Sequence, residues 1–313
     1  MNTLRPFILL LFITCLASSC ATILNSRVQR VHVVTDDKIT AVTIDSSLTK
    51  QGDKNSFYVS RSRQPLKLNL EVNGVHKSIS IKSRNSIAWW LNAYPSPFTL
   101  PGFLIDMKNP KRFSYPKRIY LQGKDTSIKV SRFAPVKRGS ISWVLSVPYL
   151  NFFHVNTTGG RYTSSGFWGI ETGFDYYYNS NSYVSAYGGI STDFILPFPA
   201  ALDIRGKYES GSSVYASLRD NHTIGSFDFG YGLNVSQLKY HVTNNTDSTF
   251  IPQTRQSTSL GLSLSTQYRF GDHFRLGLLY QPSLFDLNKT ALDYQHFISL
   301  ELIWKIPIRN YKP

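Results

Sequence analysis

The stretch Phe227-Asp228-Phe229-Gly230-Tyr231-Gly232-Leu233-Asn234-Val235-Ser236 decides the fold. Its odd positions are large and apolar and its even positions are small or polar, the period of two that belongs to a strand with unlike faces. The same alternation runs upstream through Trp168 to Tyr177 and downstream through Leu260 to Phe270, Phe274 to Gln281 and Ile298 to Ile306. Weaker copies occur at Ile141 to Val155, Tyr183 to Thr192 and Ser212 to Asp220. Each of the eight is about nine residues or more, enough for a tilted strand to cross ~25 Å of apolar membrane.

The polarity of the two faces separates a membrane barrel from a soluble one. A soluble sandwich or lipocalin-like barrel turns its apolar face inward and covers the other with Lys, Glu and Asp. Here the polar face is mostly Gly, Ser and isolated charges, suited to a narrow packed lumen, and the apolar face is large and aromatic. Connections read as short after strands two, four and six (179–181, 221–223, 271–273) and as long after the odd strands, for example 243–257. The fold class expected is therefore all-β: a small antiparallel β domain followed by an eight-stranded antiparallel transmembrane β-barrel over 139–313. The inward set holds four acids, Glu171, Asp175, Asp228 and Glu301, and four bases, Arg219, Arg269, Arg275 and Lys305. Unpaired, each would be costly away from water, so a balanced network across the lumen is expected.

Charge divides the chain. Residues 20–138 carry 21 Lys and Arg against 7 Asp and Glu, a net +14, while residues 139–313 carry 12 of each. Residues 1–19 read as a secretory signal: Arg5, an apolar run from Phe7 to Leu16, then Ala17-Ser18-Ser19 before Cys20. Residues 20–85 read as a basic β domain, with strands at Arg30 to Thr35, Thr40 to Asp45 and Ser56 to Ser60. A hairpin of Leu66 to Val72 and Val75 to Ile81 turns at Asn73-Gly74, a dipeptide that tolerates positive φ. Residues 86–138 read as an apolar, proline-punctuated and then basic–aromatic interfacial segment, ending in a connector over 124–138. Within it Trp89, Trp90, Lys108, Lys111, Arg112, Lys117 and Arg118 have the composition of a membrane interface or a partner contact.

The run Leu16-Ala17-Ser18-Ser19-Cys20 resembles a bacterial lipobox, which implies lipidation (palmitate) of Cys20; Ala21 after it, rather than aspartate, implies the outer membrane. Cys20-Ala21-Thr22-Ile23, the small β domain, the tryptophan-bearing apolar loop, Gly102 to Asp106 and Tyr115-Pro116 together resemble a lipoprotein family common in Bacteroidota with a PEGA-type β domain. The C-terminal half is similar to small barrels of the OmpA/OmpX type. These resemblances imply an envelope lipoprotein and no chemistry.

Other classes are excluded by composition. Hydrophobic residues make up 42% of the 313, against disorder, and two cysteines cannot build a disulfide scaffold. No apolar run of about 20 residues follows the N-terminus, against a helical membrane bundle. No nucleotide-loop, zinc-protease or serine-hydrolase motif occurs, so no cofactor or metal is expected. His154, His241 and His296 are the candidates for an enzyme acting on lipid. Export removes nucleic acid as a partner of the basic half and leaves outer-membrane lipid and outer-membrane or periplasmic proteins. The expected function is a non-catalytic, lipid-anchored scaffold or accessory subunit of an outer-membrane complex. The alternatives are a lipid-modifying enzyme and an adhesin using its outer loops.

Overall fold

Residues 20–35, 39–45, 49–51, 55–72, 75–90, 92, 100–124, 127–157, 160–197, 206–247 and 249–309 are described by the structure, a computed structural model. The signal segment, the Asn73-Gly74 turn and the proline-rich stretch 93–99 lie outside them. The chain splits into two units, Met1–Ala134 and Pro135–Pro313.

In the first unit β1 (Val28–Thr35), β2 (Ile39–Asp45), β4 (Ser56–Ser60), β5 (Leu66–Val72) and β6 (Val75–Ile81) occupy the segments where strands were expected, and β3 (Thr49–Gln51) is a short strand that the sequence did not announce. Short pieces follow: β7 (Arg84–Asn85), β8 (Phe113–Ser114), β9 (Arg118–Lys124) and β10 (Ser127–Ser131). Helix α1 is Cys20–Leu24, α2 is Ile87–Trp90 and α3 is Leu100–Met107. A five-stranded sheet runs β10-β9-β1-β4-β3 and a three-stranded one β2-β5-β6. Along β1, exposed and buried residues alternate. Val31, Val33, Phe57, Val59, Ile119 and Leu121 of the larger sheet form one core with Leu66, Leu68, Leu70, Ile81 and Tyr115. Each such aliphatic contributes about 1.5–3 kcal/mol by leaving water.

This corrects the reading of 86–138 as interface and linker. Strand β9 pairs in parallel with β1 and buries Ile119 and Leu121, and β10 closes the sheet's edge. Strand β9 thus comes from the stretch read as interfacial and β10 from the one read as a connector, where the exposed Lys117, Arg118, Lys129 and Lys137 mask a short alternation.

The second unit is a closed barrel in sequence order: β11 (Ile141–Thr157), β12 (Gly160–Asn179), β13 (Ser182–Phe194), β14 (Lys207–Ile224), β15 (Phe227–Asn244), β16 (Gln253–Arg269), β17 (Phe274–Asp286) and β18 (Ala291–Arg309). Strand β11 pairs antiparallel with β18, so no edge is left. At one end the connections are short, at 180–181, 225–226 and 270–273. The second turn sits at Gly225, φ 63°, rather than at 221–223. Asn221 continues β14 facing inward, where its amide donates to Ser185 Oγ at 2.8 Å. Glycine supplies the positive φ that a two-residue hairpin requires.

At the other end two connections read as long are short. Pairing continues from Val155↔Tyr162 to Thr157↔Gly160, and from Phe285↔Leu292 to Asp286↔Ala291. The strands run on past their apolar stretches as polar hairpins. Trp168 departs from its strand's alternation: it has φ 79° at a register shift, and its indole donates to Leu196 O at 3.0 Å. The bulge shifts inward-facing parity from even positions before it to odd positions after it.

Candidate functional site

The barrel's two faces define what it can do. Outward, Ile170, Phe174, Leu218, Leu233 and Leu278 are each 46–58% exposed. Along β15 outward residues are apolar from Phe227 to Val235, then polar at Gln237, Lys239 and His241. Beside the short turns, Phe227, Tyr268, Phe270, Phe274 and Trp304 touch in succession, with ring centroids 4.9–5.7 Å apart. An apolar band edged by an aromatic girdle is how a barrel meets hydrocarbon and headgroups.

Inward, seven of the eight ionisable residues read as a lumen network are buried: Glu171, Asp175, Arg219, Asp228, Arg275, Glu301 and Lys305. Lys305 Nζ lies 2.5 Å from Asp175 Oδ2 and donates to Tyr183 Oη at 2.8 Å. Arg275 Nε donates to Asp228 Oδ2 at 3.1 Å, and Ser185, Tyr187 and Thr223 complete the two carboxylates. Arg219 stands over the Tyr187 ring, 4.5 Å from its centroid, with Nη2 3.7 Å from Glu171 Oε1. Arg269, at the end of β16, is half-buried and opposite Arg275 in register, not beside Glu171.

A third layer was not read from the sequence. Phe153, Val155, Tyr215, Leu238, Leu279 and Phe297 form an apolar plug inside the barrel, with Phe153 and Phe297 stacked at 5.0 Å. Inward glycines make room for the plug's Tyr215 and for Tyr187 of the charged layer. A Cβ on Gly189 would meet Tyr215 Cζ at 2.7 Å, and one on Gly173 would meet Tyr187 Cδ1 at 2.2 Å. Ions would have to cross both the paired charges and this plug.

Among the described residues, the histidines named as catalytic candidates lie against threonines or against each other. His154 and His296 face outward and stack at 5.0 Å. The Nδ1 atoms of His154 and His241 lie 2.9 Å from the hydroxyls of Thr163 and Thr254. A different histidine has the partners of a relay: His222 Nδ1 is 3.1 Å from Ser182 Oγ, and its Nε2 is 3.3 Å from Asp220 Oδ2. Tyr178 also donates to Asp220, at 2.9 Å, so the cluster ties adjacent strands on the outer face near the short turns.

In the first unit, α1 starts at Cys20 and is held by Asp106, which is fully buried. Its carboxylate accepts from the Ala21 N–H at 3.1 Å, Thr22 Oγ1 at 2.9 Å and Asn92 Nδ2 at 2.8 Å. Lys111 Nζ donates to Thr22 O at 2.8 Å. Around this seat Leu24, Ile87, Trp90, Leu104, Ile105 and Met107 are exposed. Trp89 packs edge-on against Trp90 and Phe103, both at 4.8 Å. Arg112 lies over Phe113, and Lys108 is exposed. Lys117 and Arg118 are placed apart from the helices, on the open side of the larger sheet. The signal that could have found Asp106 is its isolation, as the lone acid between Trp89 and Leu121.

No protein-family model and no curated protein matches the chain. Among solved structures it is similar to the attachment invasion locus protein Ail of Yersinia pestis, at 13% identity and TM-score 0.39, over 55% of this chain and 99% of that one. It is similar also to Neisserial surface protein A, at 12% identity and TM-score 0.33, over 53% of this chain and 96% of that one.

Proposed function

We propose that this chain is a non-catalytic, lipid-anchored protein of the bacterial outer membrane that serves as a scaffold or accessory subunit of a larger envelope complex. The observation that carries this reading is the barrel itself: apolar outside, closed, and filled by ion pairs and an apolar plug, which suits an anchor and not a pore. The lipobox and the seat that Asp106 builds for the residues after Cys20 support a second anchor at the other end of the chain. One anchor would suffice to retain a protein, so two point to a first unit that must stay at the membrane surface, on the periplasmic side. Extraction in mild detergent followed by light scattering tests this: a complex of fixed partner stoichiometry is expected, and a lone chain in its micelle would contradict the scaffold.

A second reading, an enzyme acting on lipid esters, is favoured by the Ser182–His222–Asp220 chain on the outward face. A fluorophosphonate probe tests it. Labelling lost in Ser182→Ala would support the enzyme, and an unlabelled protein leaves the cluster as a strand tie.

A further inference from the structure

The three helices of the first unit are layered inside out. Helix α1 lies against α2 and α3, and Trp89 of α2 packs edge-on against Phe103 of α3. Polar groups hold them together from within. Asp106 and Asn92 are buried and bonded at 2.8 Å, and Asn25 Nδ2 donates to Ser86 Oγ at 2.8 Å and to Lys111 O at 2.9 Å. Asn109 Nδ2 donates to Thr22 Oγ1 at 2.8 Å. Outside stand Leu24, Ile87, Trp90, Leu104, Ile105 and Met107, 41–71% exposed. Water favours the opposite order, with aliphatic side chains within and polar ones outside. The sheets of the same unit obey that order: Val31, Val33 and Leu68 are buried while Arg30, His32 and Lys67 are exposed. The inversion is therefore local to the helices, and it is the order that the barrel shows along its apolar band.

We propose that this helical cap lies in the headgroup layer of a phospholipid bilayer that carries anionic lipid. A contiguous exposed apolar patch marks a contact with protein or membrane, and two observations favour membrane. The first is charge. Residues 20–30 and 84–118, which build the cap and its flanks, hold eight Lys and Arg and a single acid, Asp106, which is buried. Arg27, Arg84 and Lys108 are exposed beside the apolar side chains, and Trp90 is the residue type that sits at a membrane–water boundary. The second is position. Helix α1 starts at Cys20, the residue read as acylated, and ends at the exposed Leu24, one helical turn on. A single acyl chain binds membranes only marginally, and a second, amphipathic contact makes the attachment stable. The inference deepens the reading of a first unit kept at the membrane surface and rests on it.

The test places a nitrobenzoxadiazole label on Leu104→Cys in the chain from residue 20 onward, reconstituted in vesicles of phosphatidylcholine and phosphatidylglycerol with doxyl-labelled lipid. The label is expected to emit to the blue of its position in water and to be quenched most by doxyl groups ~5–10 Å below the headgroups. Ile87→Cys gives a second reporter, on another helix, with the same expected result. A label on His76→Cys, exposed at the far end of β6 from α2, should stay water-like and unquenched. Water-like emission from both cap positions overturns the proposal. A blue-shifted cap label that doxyl lipid does not quench also overturns it, because protein then covers the face. Equal quenching at His76 would show that the unit as a whole, and not the cap, meets the bilayer. The labels are read with Cys20 acylated and in Cys20→Ser, which separates the cap from the anchor. Quenching in both, or only with the acyl chain, supports the cap contact. Quenching in Cys20→Ser while wild-type Cys20 takes up no palmitate would keep the cap contact and sink the anchor reading.

Discussion

Asp106 is the residue on which the placement of α1 depends. Three donors converge on one buried carboxylate, and hydrogen bonds to a charged group are worth ~1.5–3 kcal/mol each, without simple additivity. Asp106→Ala should cost on the order of 3 kcal/mol and release α1 from its seat. Trypsin should then cut the Lys108 to Arg112 region of the folded protein much faster, while wild-type rates would show that the seat does not need this carboxylate. In the lumen the corresponding residue is Arg275, which holds buried Asp228. Removing one partner of such a pair costs ~3–5 kcal/mol. Arg275→Ala should lose the compact, fast-migrating form on unheated gels at a clearly lower temperature than Arg269→Ala, because Arg269 is only half-buried. The reverse order would misplace the network.

Strands show which parts of the fold can be read from residue patterns and which cannot. Phe227 to Val235 was legible because lipid and lumen impose opposite demands on alternate residues. The polar ends of β11 and β12 were not legible, because Arg161 and Thr163 on one face and Tyr162 and Ser164 on the other leave no apolar period, while backbone pairing continues. Asn221-His222-Thr223 resembled a turn by composition, yet each residue keeps a strand position, and the actual turn needs Gly225. The inward charges were legible from their parity. The pairing of Glu171 with Arg219 was not, since alternation says which face a residue occupies but not which neighbour it meets across a closed sheet. The same closure gives Gly173 its role, since a Cβ there would meet the Ala186 carbonyl oxygen of β13 at 2.1 Å and the ring of Tyr187, which bonds Asp175. Gly173→Ala should destabilise the barrel by about 1–3 kcal/mol through overpacking. Its yield of heat-modifiable barrel on refolding should fall, and full yield would mean the lumen is looser at β12 and β13 than described.

The whole molecule combines a neutral barrel with a strongly basic first unit. Paired charges and the plug of Phe153 and Phe297 fill the lumen among the described residues, so planar bilayers holding the protein should show no steady single-channel steps. Regular conductance would contradict a filled lumen. The barrel is a membrane anchor in its own right, with eight amphipathic strands carrying far more insertion free energy than one acyl chain. The most direct test compares wild type with Cys20→Ser by palmitate labelling, carbonate extraction of membranes and gel mobility before and after heating. The variant is expected to lose the label yet stay in the membrane pellet and remain heat-modifiable. Recovery of Cys20→Ser in the soluble fraction, without a heat-dependent shift, would contradict it.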